Sequence, residues 1–252
     1  MSDYDRNVAA RGFGAARATA IDAGLRAYMI RVYNYMAAGV ALTGVVAWFT
    51  YNAAVVTDAA GRITSLTPFG QAIFSGPLAI VLFLGTLGLV FFMSFRINTL
   101  QPGTALTLFL VYAGLLGLML SSVFLAYTGA SITRTFFISA ASFGALSLYG
   151  YSTQRDLSPI GSFLIMGLFG LMLAMVVAWF FPSPGLTFAI SAIGVLIFAG
   201  LTAWDTQRIK EMYSVMDDGT VAGRKAVMGA LKLYLDFLNL FLFLLRFMGD
   251  RR

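Results

Sequence analysis

Two carboxylates in otherwise apolar stretches are the residues of this chain best suited to chemistry. Asp205 ends one apolar run, in FAGLTAWDTQRIK, and Asp236 lies in the middle of the next, in LKLYLDFLNLFLFLLRF. An ionisable group within a membrane helix is energetically costly, so its presence indicates a functional site. The two runs are consecutive along the chain, and we therefore expect their helices to be neighbours and the two carboxylates to meet.

Two carboxylates in a poorly hydrated site cannot both ionise at low cost. Desolvation and mutual repulsion disfavour the doubly charged form, so the pair is predicted to share one proton near neutral pH. Loss of that proton leaves a buried negative charge, which must attract a cation, draw in water or separate the helices. The chain has no His, so a pH-dependent gate must use these carboxylates.

Three basic residues near the acids leave other interpretations open. Lys232 lies four residues before Asp236 on the same helical face, where the two would form an internal ion pair. Arg96 ends another apolar run and either pairs with Asp205 across helices or, as we favour, is an ordinary interfacial arginine. Asp205 could also be a hydrated boundary residue beside Arg208.

Further polar residues are candidates for lining a path through the helices: Ser121, Ser122, Thr202 and Asn239. Hydroxyls in membrane helices more often bond to their own backbone, which is the favoured interpretation here. Asp217, Asp218 and Gly219 weakly resemble the start of a calcium loop, but the further oxygen ligands at fixed spacing are missing. A solvated turn is therefore favoured at that point.

The composition predicts an integral membrane protein. Hydrophobic residues make up 59% of the 252 residues and charged residues 11%, against about 45–50% and about 25% in soluble domains. The absence of Cys and His excludes disulfides, zinc sites and triads that need an imidazole. The net charge of +6 is attributed to membrane topology rather than to nucleic-acid binding.

Seven continuous apolar segments predict an all-α polytopic fold with seven transmembrane helices, because each approaches the roughly 20 residues that span a bilayer. Residues 1–27 form a polar N-terminal tail without a signal-peptide pattern, and residues 28–252 form the membrane domain. The segments run over about 29–51, 75–95, 103–127, 131–150, 158–181, 185–204 and 227–247.

The basic residues favour a cytoplasmic N-terminus. With that orientation, eleven Lys and Arg residues lie on the cytoplasmic side and five on the other, as the positive-inside rule requires. Arg246, Arg251 and Arg252 then lie outside if the last segment crosses fully. A last segment that dips into the membrane and returns would bring these three arginines inside, and the sequence leaves both arrangements open.

Four separated motifs resemble those of the Bax inhibitor-1 family, and more closely its bacterial inner-membrane branch. They are LSSVFLAYT in the third segment, GALSLYGYSTQRDLS closing the fourth, GLTAWDTQRIK ending the sixth and LYLDFLNLF in the last. The resemblance extends from about residue 26 to the C-terminus. It implies seven helices with the last one wrapped by the other six, in the bacterial inner membrane.

The resemblance also implies a pH-sensitive calcium leak in which paired aspartates, here Asp205 and Asp236, are the sensor. It implies that an arginine of the second helix holds the first aspartate in the closed form, and Arg96 is the best match. Lys232 departs from the family pattern, where a small polar residue is expected. A fixed cation there is predicted to weaken divalent binding, and calcium is expected to bind only transiently, without a resident cofactor.

Three functions compete. A pH-gated cation leak, calcium first, follows from the acid pair. A non-conducting protein that regulates a membrane protease or another membrane complex is the alternative, because small-residue helix faces and the tail could dock partners. An intramembrane aspartyl protease would need only two acids on neighbouring helices, but LYLD stands where such proteases have GxGD. The chain is therefore expected not to be an enzyme.

Overall fold

The computed structural model of this chain describes the backbone of residues 3–58, 62–97 and 99–252, and the side chains within these ranges from residue 22 onward. Within these ranges the chain forms helices and one small hairpin. In order, the elements are α1 Asp3–Ala54, β1 Val55–Thr57, β2 Ile63–Leu66, α2 Pro68–Phe74, α3 Pro77–Arg96, α4 Pro102–Leu120, α5 Val123–Ala126, α6 Gly129–Ser152, α7 Ser158–Phe180, α8 Pro184–Glu211 and α9 Gly219–Met248.

Prolines and side-chain caps fix where the helices begin. Proline stands in the first turn of α2, α3, α4, α7 and α8, where its missing N–H removes no helical hydrogen bond. The side chains of Thr67, Thr128 and Asp218 cap α2, α6 and α9 by accepting a backbone N–H. The helix starts are thus encoded locally, at the ends of the apolar runs.

The all-α polytopic membrane fold is confirmed. Among the described residues, six helices are long and apolar enough to cross a membrane, namely α1 from Asp22 onward, α3, α4 with α5, α7, α8 and α9. The fourth predicted segment corresponds to α6, whose 24 residues would extend about 36 Å. Its many Ser and Thr residues make it less apolar, and its crossing of the membrane stays a prediction.

Helix α9 is the centre of the bundle. It packs against α1, α4, α6 and α8, whereas α7 packs mainly on α8, and α3 on α4 and the short α2. The fully buried Tyr234 of α9 has its ring edge-on to Phe109 and Tyr112 of α4, and it hydrogen-bonds Thr43 of α1 at 2.6 Å. The last helix, α9, is therefore central and is surrounded by α1, α4, α6 and α8.

The structure describes only part of the predicted N-terminal tail, residues 1–27. Its first two residues and the side chains up to residue 21 lie outside the described part of the chain. From Asp3 the backbone is helical and continues without a break into the first apolar segment. The boundary between tail and membrane domain therefore stays a prediction.

The last helix traverses the bundle completely. Its 30 residues lead from the α8–α9 connection to the opposite end, where Arg251 pairs with Tyr127 in a short antiparallel bridge and Arg252 reaches the Tyr51 hydroxyl at 2.9 Å. The C-terminus thus lies at the end that carries the α5–α6 connection. Of the two arrangements that the sequence left open, a segment that dips and returns is excluded.

Candidate functional site

Antiparallel helices α8 and α9 bring Asp205 and Asp236 together. The connection 212–218 between them is short, and α9 is held at its start by Asp218, whose carboxylate accepts the N–H of Val221 at 2.6 Å. Both acids are buried, with 9% of Asp205 and 5% of Asp236 exposed. The two carboxyl groups face the same cavity between these helices, which is the proximity that the sequence predicts.

Lys232 pairs with the acid of the other helix. Its Nζ lies 3.4 Å from Oδ1 of Asp205, and the Lys232 side chain is 36% exposed. The internal ion pair between Lys232 and Asp236, which the sequence left open, is not among the ion pairs of the described residues. Oδ2 of Asp236 is buried without a hydrogen-bond partner, so the central helix carries a carboxylate oxygen that nothing in the described structure satisfies.

The acid pair opens onto a cavity of about 640 Å³ between α7, α8 and α9. Helix α7 contributes only apolar side chains, among them Leu171 and Met175. Every charged or amide side chain of the wall comes from α8 or α9: Asp205, Arg208, Lys232, Asp236, Asn239 and Arg246. Three cations therefore face two acids in a space that is otherwise apolar.

The end of α8 that carries Asp205 is hydrogen-bonded to the end of α6 and to the connection between α6 and α7. Gln207 accepts the Leu157 N–H and donates to the Arg155 carbonyl, both at 2.8 Å. Lys210 donates to the Tyr151 carbonyl, also at 2.8 Å. Sequence analysis missed these positioning residues; the run of polar side chains in TQRIK directly after the acid is the signal that could have identified them.

A chain of hydroxyl groups anchors the turn of α8 next to Asp205. Thr206 is 2.9 Å from Ser147 of α6, which is 2.5 Å from the Tyr33 hydroxyl of α1. Thr206 also donates to the carbonyl of Thr202 in its own helix. This turn of α8 is therefore hydrogen-bonded to α6 and, through Ser147, to α1. A movement of Asp205 would have to move or break these hydrogen bonds.

Trp204 and Arg208 form the edge of the cavity. The Arg208 guanidinium lies 5.0 Å from the centre of the Trp204 ring, a cation–π geometry. Trp204 is buried, and its indole N–H has no partner in the described structure. Gly161 of α7 makes room for this ring, because a Cβ at that position would overlap it.

Arg96 is not brought to the acid pair. It is exposed in the last turn of α3, a helix that packs on α4 and α2 rather than on α8. The described ion pair of Asp205 is with Lys232. The predicted contact between Arg96 and Asp205 is therefore absent from this structure, in agreement with the favoured interpretation of an interfacial arginine.

The four predicted path-lining residues bond to their own helices. Ser121, Ser122, Thr202 and Asn239 each donate a side-chain hydrogen bond to a backbone carbonyl three or four residues earlier. Only Asn239 among them faces the cavity. Ser121 and Ser122 lie in the break between α4 and α5, away from the acid pair.

The two acids of the α8–α9 connection form a turn. Asp218 caps α9, and Asp217 pairs with Lys225 at 2.6 Å. Both carboxylates thus interact with residues in the first turns of α9. This agrees with the favoured interpretation of a turn rather than a calcium loop.

The acid pair is a poor cage for a resident metal ion. Calcium takes six to eight oxygen ligands, whereas the described residues contain no cluster of three or more His, Cys, Asp or Glu side chains that could hold a metal. Two carboxylates and one amide face the cavity, and Lys232 occupies the position beside Asp205.

The architecture defines a polytopic α-helical membrane protein with an acid pair between its two last helices. Residues 25–252 match the family model described as inhibitor of apoptosis-promoting Bax1. The chain belongs to the Bax inhibitor-1 family, as the four motifs predict.

Full-length relatives support this assignment. The chain is 47% identical over 252 residues to the uncharacterized protein RP147 of Rickettsia prowazekii, covering all of both chains. It is 44% identical over 232 residues to the inner membrane protein YbhL of Escherichia coli, covering 91% of this chain and 94% of the relative. A protein of Caulobacter vibrioides is 42% identical over 259 residues, again with full coverage of both chains.

Proposed function

We propose that this protein is a pH-sensitive cation leak of the bacterial inner membrane, with calcium as the favoured ion and the pair Asp205 and Asp236 as its proton switch. The observation that carries the proposal is the meeting of these two buried carboxyl groups beside a cavity. Intramembrane acids that face a cavity are typical of ion and proton pathways.

A shared proton is the physical basis of the switch. An ionised carboxylate only accepts hydrogen bonds, so two carboxyl groups can hydrogen-bond to each other only when a proton lies between them. When that proton leaves, two negative charges face each other next to Lys232. Their repulsion favours a packing with more water or a cation between α8 and α9, and the flux is therefore expected to rise with pH.

The surroundings of the pair decide how strongly it responds. Lys232, Arg208 and Arg246 are the cations that line the same cavity, and α7 adds only apolar side chains. Lys232 adds a positive charge beside Asp205, and both acids are buried. Because α8 is tied to α1 and α6 through Thr206, movement of Asp205 is coupled to the rest of the bundle.

The experiment is a flux measurement across pH 6–8, a range chosen as roughly where a shared-proton pair titrates. The purified protein is reconstituted into liposomes that contain a calcium dye. Asp236→Asn removes one ionisable group of the pair with little change in volume, and Asp205→Asn does the same for the other. Both variants are expected to lose the pH dependence of calcium flux and to stay near the low-pH rate of the unmodified protein.

Asp156→Asn is the matched control. Asp156 lies in the connection before α7, where hydrogen bonding by Ser158, first from its backbone N–H at 2.8 Å, holds the pKa of the Asp156 carboxyl below its usual range. This carboxylate therefore stays ionised throughout pH 6–8, and its removal is expected to leave the flux profile unchanged. Identical profiles for Asp236→Asn and the unmodified protein would contradict the proton switch.

The ion pair between Lys232 and Asp205 favours a second candidate, a non-conducting protein that regulates a membrane protease or another membrane complex. A cation already bound to one acid reduces the attraction of the site for calcium. If the protein is such a regulator, no calcium flux is detected at any pH in the liposome experiment, and a partner co-purifies with the protein. Neither candidate needs a catalytic activity or a resident cofactor.

The inner-membrane location and the cytoplasmic N-terminus are part of the proposal. The relative from Escherichia coli is named an inner membrane protein. The excess of Lys and Arg at the end of the bundle that holds the α8–α9 connection supports the orientation.

A further inference from the structure

Two arginines at the C-terminal end of the bundle have no acidic partner among the described side chains. Arg246 belongs to the last turn of α9 and Arg251 to the segment after it, and both line a groove of about 430 Å³ against the start of α8. By contrast, Arg62 and Arg134 at the same end each form an ion pair, at 2.8 and 3.1 Å. The groove therefore carries two uncompensated positive charges.

The groove lies at the depth of the membrane surface. Trp179, Phe180 and Phe181 directly precede the groove residue Pro182 and are 84%, 71% and 73% exposed. Exposed aromatic residues at the end of a membrane helix mark the level of the lipid headgroups. Phosphate groups are the anions that are concentrated at this level.

Arg246 also forms one end of the cavity described above. From Arg246 to Asp236 the helix α9 spans ten residues, which is about 15 Å. Apart from Asn239, the cavity wall between them is apolar and includes Met175, Leu242 and Phe243. A positive charge at the mouth and an apolar wall below it match an amphiphile with an anionic headgroup and a hydrocarbon chain.

We propose that this groove and the adjoining cavity bind one anionic phospholipid, with its phosphate on Arg246 and Arg251 and one acyl chain along Leu242 and Phe243 toward Asp236. Guanidinium groups bind phosphate through paired, charge-assisted hydrogen bonds. The lipid is taken from the surrounding bilayer, so the site needs no soluble ligand. This inference goes beyond ion flux and holds whether or not the protein conducts.

The test is native mass spectrometry of the full chain, purified in detergent and supplied with dioleoyl phosphatidylglycerol. The double variant Arg246→Gln/Arg251→Gln is expected to retain this lipid about tenfold less strongly, because two charge-assisted contacts are lost. Arg62→Gln removes one positive charge from the same end of the bundle and is expected to retain the lipid unchanged. Equal retention by the double variant and the unmodified protein would overturn the proposal.

Further probes separate the headgroup, the chain and free phosphate. Dihexanoyl phosphatidylglycerol, with short chains, and dioleoyl phosphatidylcholine, without net charge, are both expected to bind more weakly. Inorganic phosphate is expected not to displace the long-chain lipid. Displacement by phosphate would identify a site for free anions, and equal binding of the neutral lipid would exclude charge recognition; either result overturns the proposal.

Leu242→Trp tests the chain site independently of charge and of the folding of the arginine variant. The larger side chain fills the apolar part of the cavity and leaves both arginines in place. It is expected to reduce retention of the dioleoyl lipid while the dihexanoyl lipid binds as before. Unchanged retention of the dioleoyl lipid would show that no acyl chain occupies this space.

Discussion

Lys232 is the cation that forms an ion pair with one of the two acids among the described residues. Its ammonium group stands 3.4 Å from Asp205, in the position where a divalent cation would approach the two carboxylates. The side chain is only partly buried, so water screens the pair and weakens it. Lys232 nevertheless forms an ion pair with Asp205, and this pair distinguishes the site from one that contains two acids alone.

Removal of this charge is expected to strengthen divalent binding. Lys232→Met keeps the length and the apolar stem of the side chain but leaves the acids without an internal cation. We expect the affinity for calcium, measured by calorimetry on the purified protein, to rise about tenfold, because a unit charge a few ångströms from the ion is lost. Lys232→Arg keeps the charge and serves as the control.

Two results would contradict this prediction. Unchanged calcium affinity in Lys232→Met would mean that Lys232 does not compete with the ion. Equal strengthening in Lys232→Arg would mean that the shape of the side chain matters and its charge does not. Because the readout is binding, the prediction does not depend on flux.

Residue types and their positions along the chain were sufficient to predict the acid pair but not its ion pairing. The sequence places Lys232 one helical turn before Asp236, and spacing alone favours a bond within the helix. The observed bond goes to Asp205, because rotation and depth of α9 against α8 decide which acid the lysine reaches. Such contacts between helices depend on packing, which no local pattern encodes.

Glycines at helix crossings set how closely the elements approach. A Cβ at Gly150 of α6 would overlap the carbonyl oxygen of Ala203 in α8, and a Cβ at Gly117 of α4 would lie 2.8 Å from the Thr43 carbonyl oxygen of α1. Small residues are the usual means of close packing in membrane helices. The crossing at Gly150 involves Ala203, two residues before Asp205, and therefore helps to position the acid.

A larger side chain at Gly150 is expected to destabilise the bundle. The backbone of α8 cannot yield as a flexible side chain would, so Gly150→Val should lower stability by about 1–3 kcal/mol, the usual range for overpacking. Thermal unfolding of the purified protein in detergent measures the change. Gly144→Val is the control in the same helix, since a Cβ there meets no other atom within 4 Å.

The prediction fails if the two variants unfold at the same temperature. A lower unfolding temperature for Gly144→Val alone would show that the exposed face of α6 is packed in the purified protein. A drop for both would indicate a general effect of valine in this helix rather than the crossing with α8.

At the level of elements, apolar runs and prolines predict most of the helices, but not the elements between them. Each predicted segment falls on a helix, because burial in lipid requires a continuous apolar run. However, α1, α8 and α9 extend well beyond their predicted segments, and the third segment is broken between α4 and α5. The hairpin of β1 and β2 and the short helix α2 were missed. Three- and four-residue strands leave too short an alternation to be distinguished from a loop.

The described part of the chain encloses an apolar core together with several buried hydroxyl residues, and its outer helices expose apolar side chains. Hydroxyl residues such as Ser139, Thr202 and Thr206 are buried and hydrogen-bonded, whereas Phe95 and Trp179 on the outer helices are more than four-fifths exposed. In lipid this arrangement is stable, since polar groups find partners only within the protein. Composition alone predicts the class of such a molecule, whereas the face that each helix turns inward becomes known only from the packed structure.

Orientation is a property of the whole molecule that single cysteines can measure, because the chain has none of its own. Met216→Cys lies in the α8–α9 connection, and Ser65→Cys and Arg252→Cys lie at the opposite end of the bundle. With the N-terminus in the cytoplasm, a membrane-impermeant maleimide added to spheroplasts is expected to label Cys variants at positions 65 and 252. The variant at position 216 should react only after the membrane is permeabilised.

The three cysteine variants also test the fold of the protein independently of its orientation in the membrane. Positions 216 and 252 must react on opposite sides, because α9 crosses the bundle between them; labelling on the same side would contradict this fold. Labelling of position 216 alone from outside would keep the fold and reverse the orientation. Since eleven basic residues lie on the predicted inner side and five on the other, that reversal would also require a force stronger than the charge asymmetry that normally directs insertion.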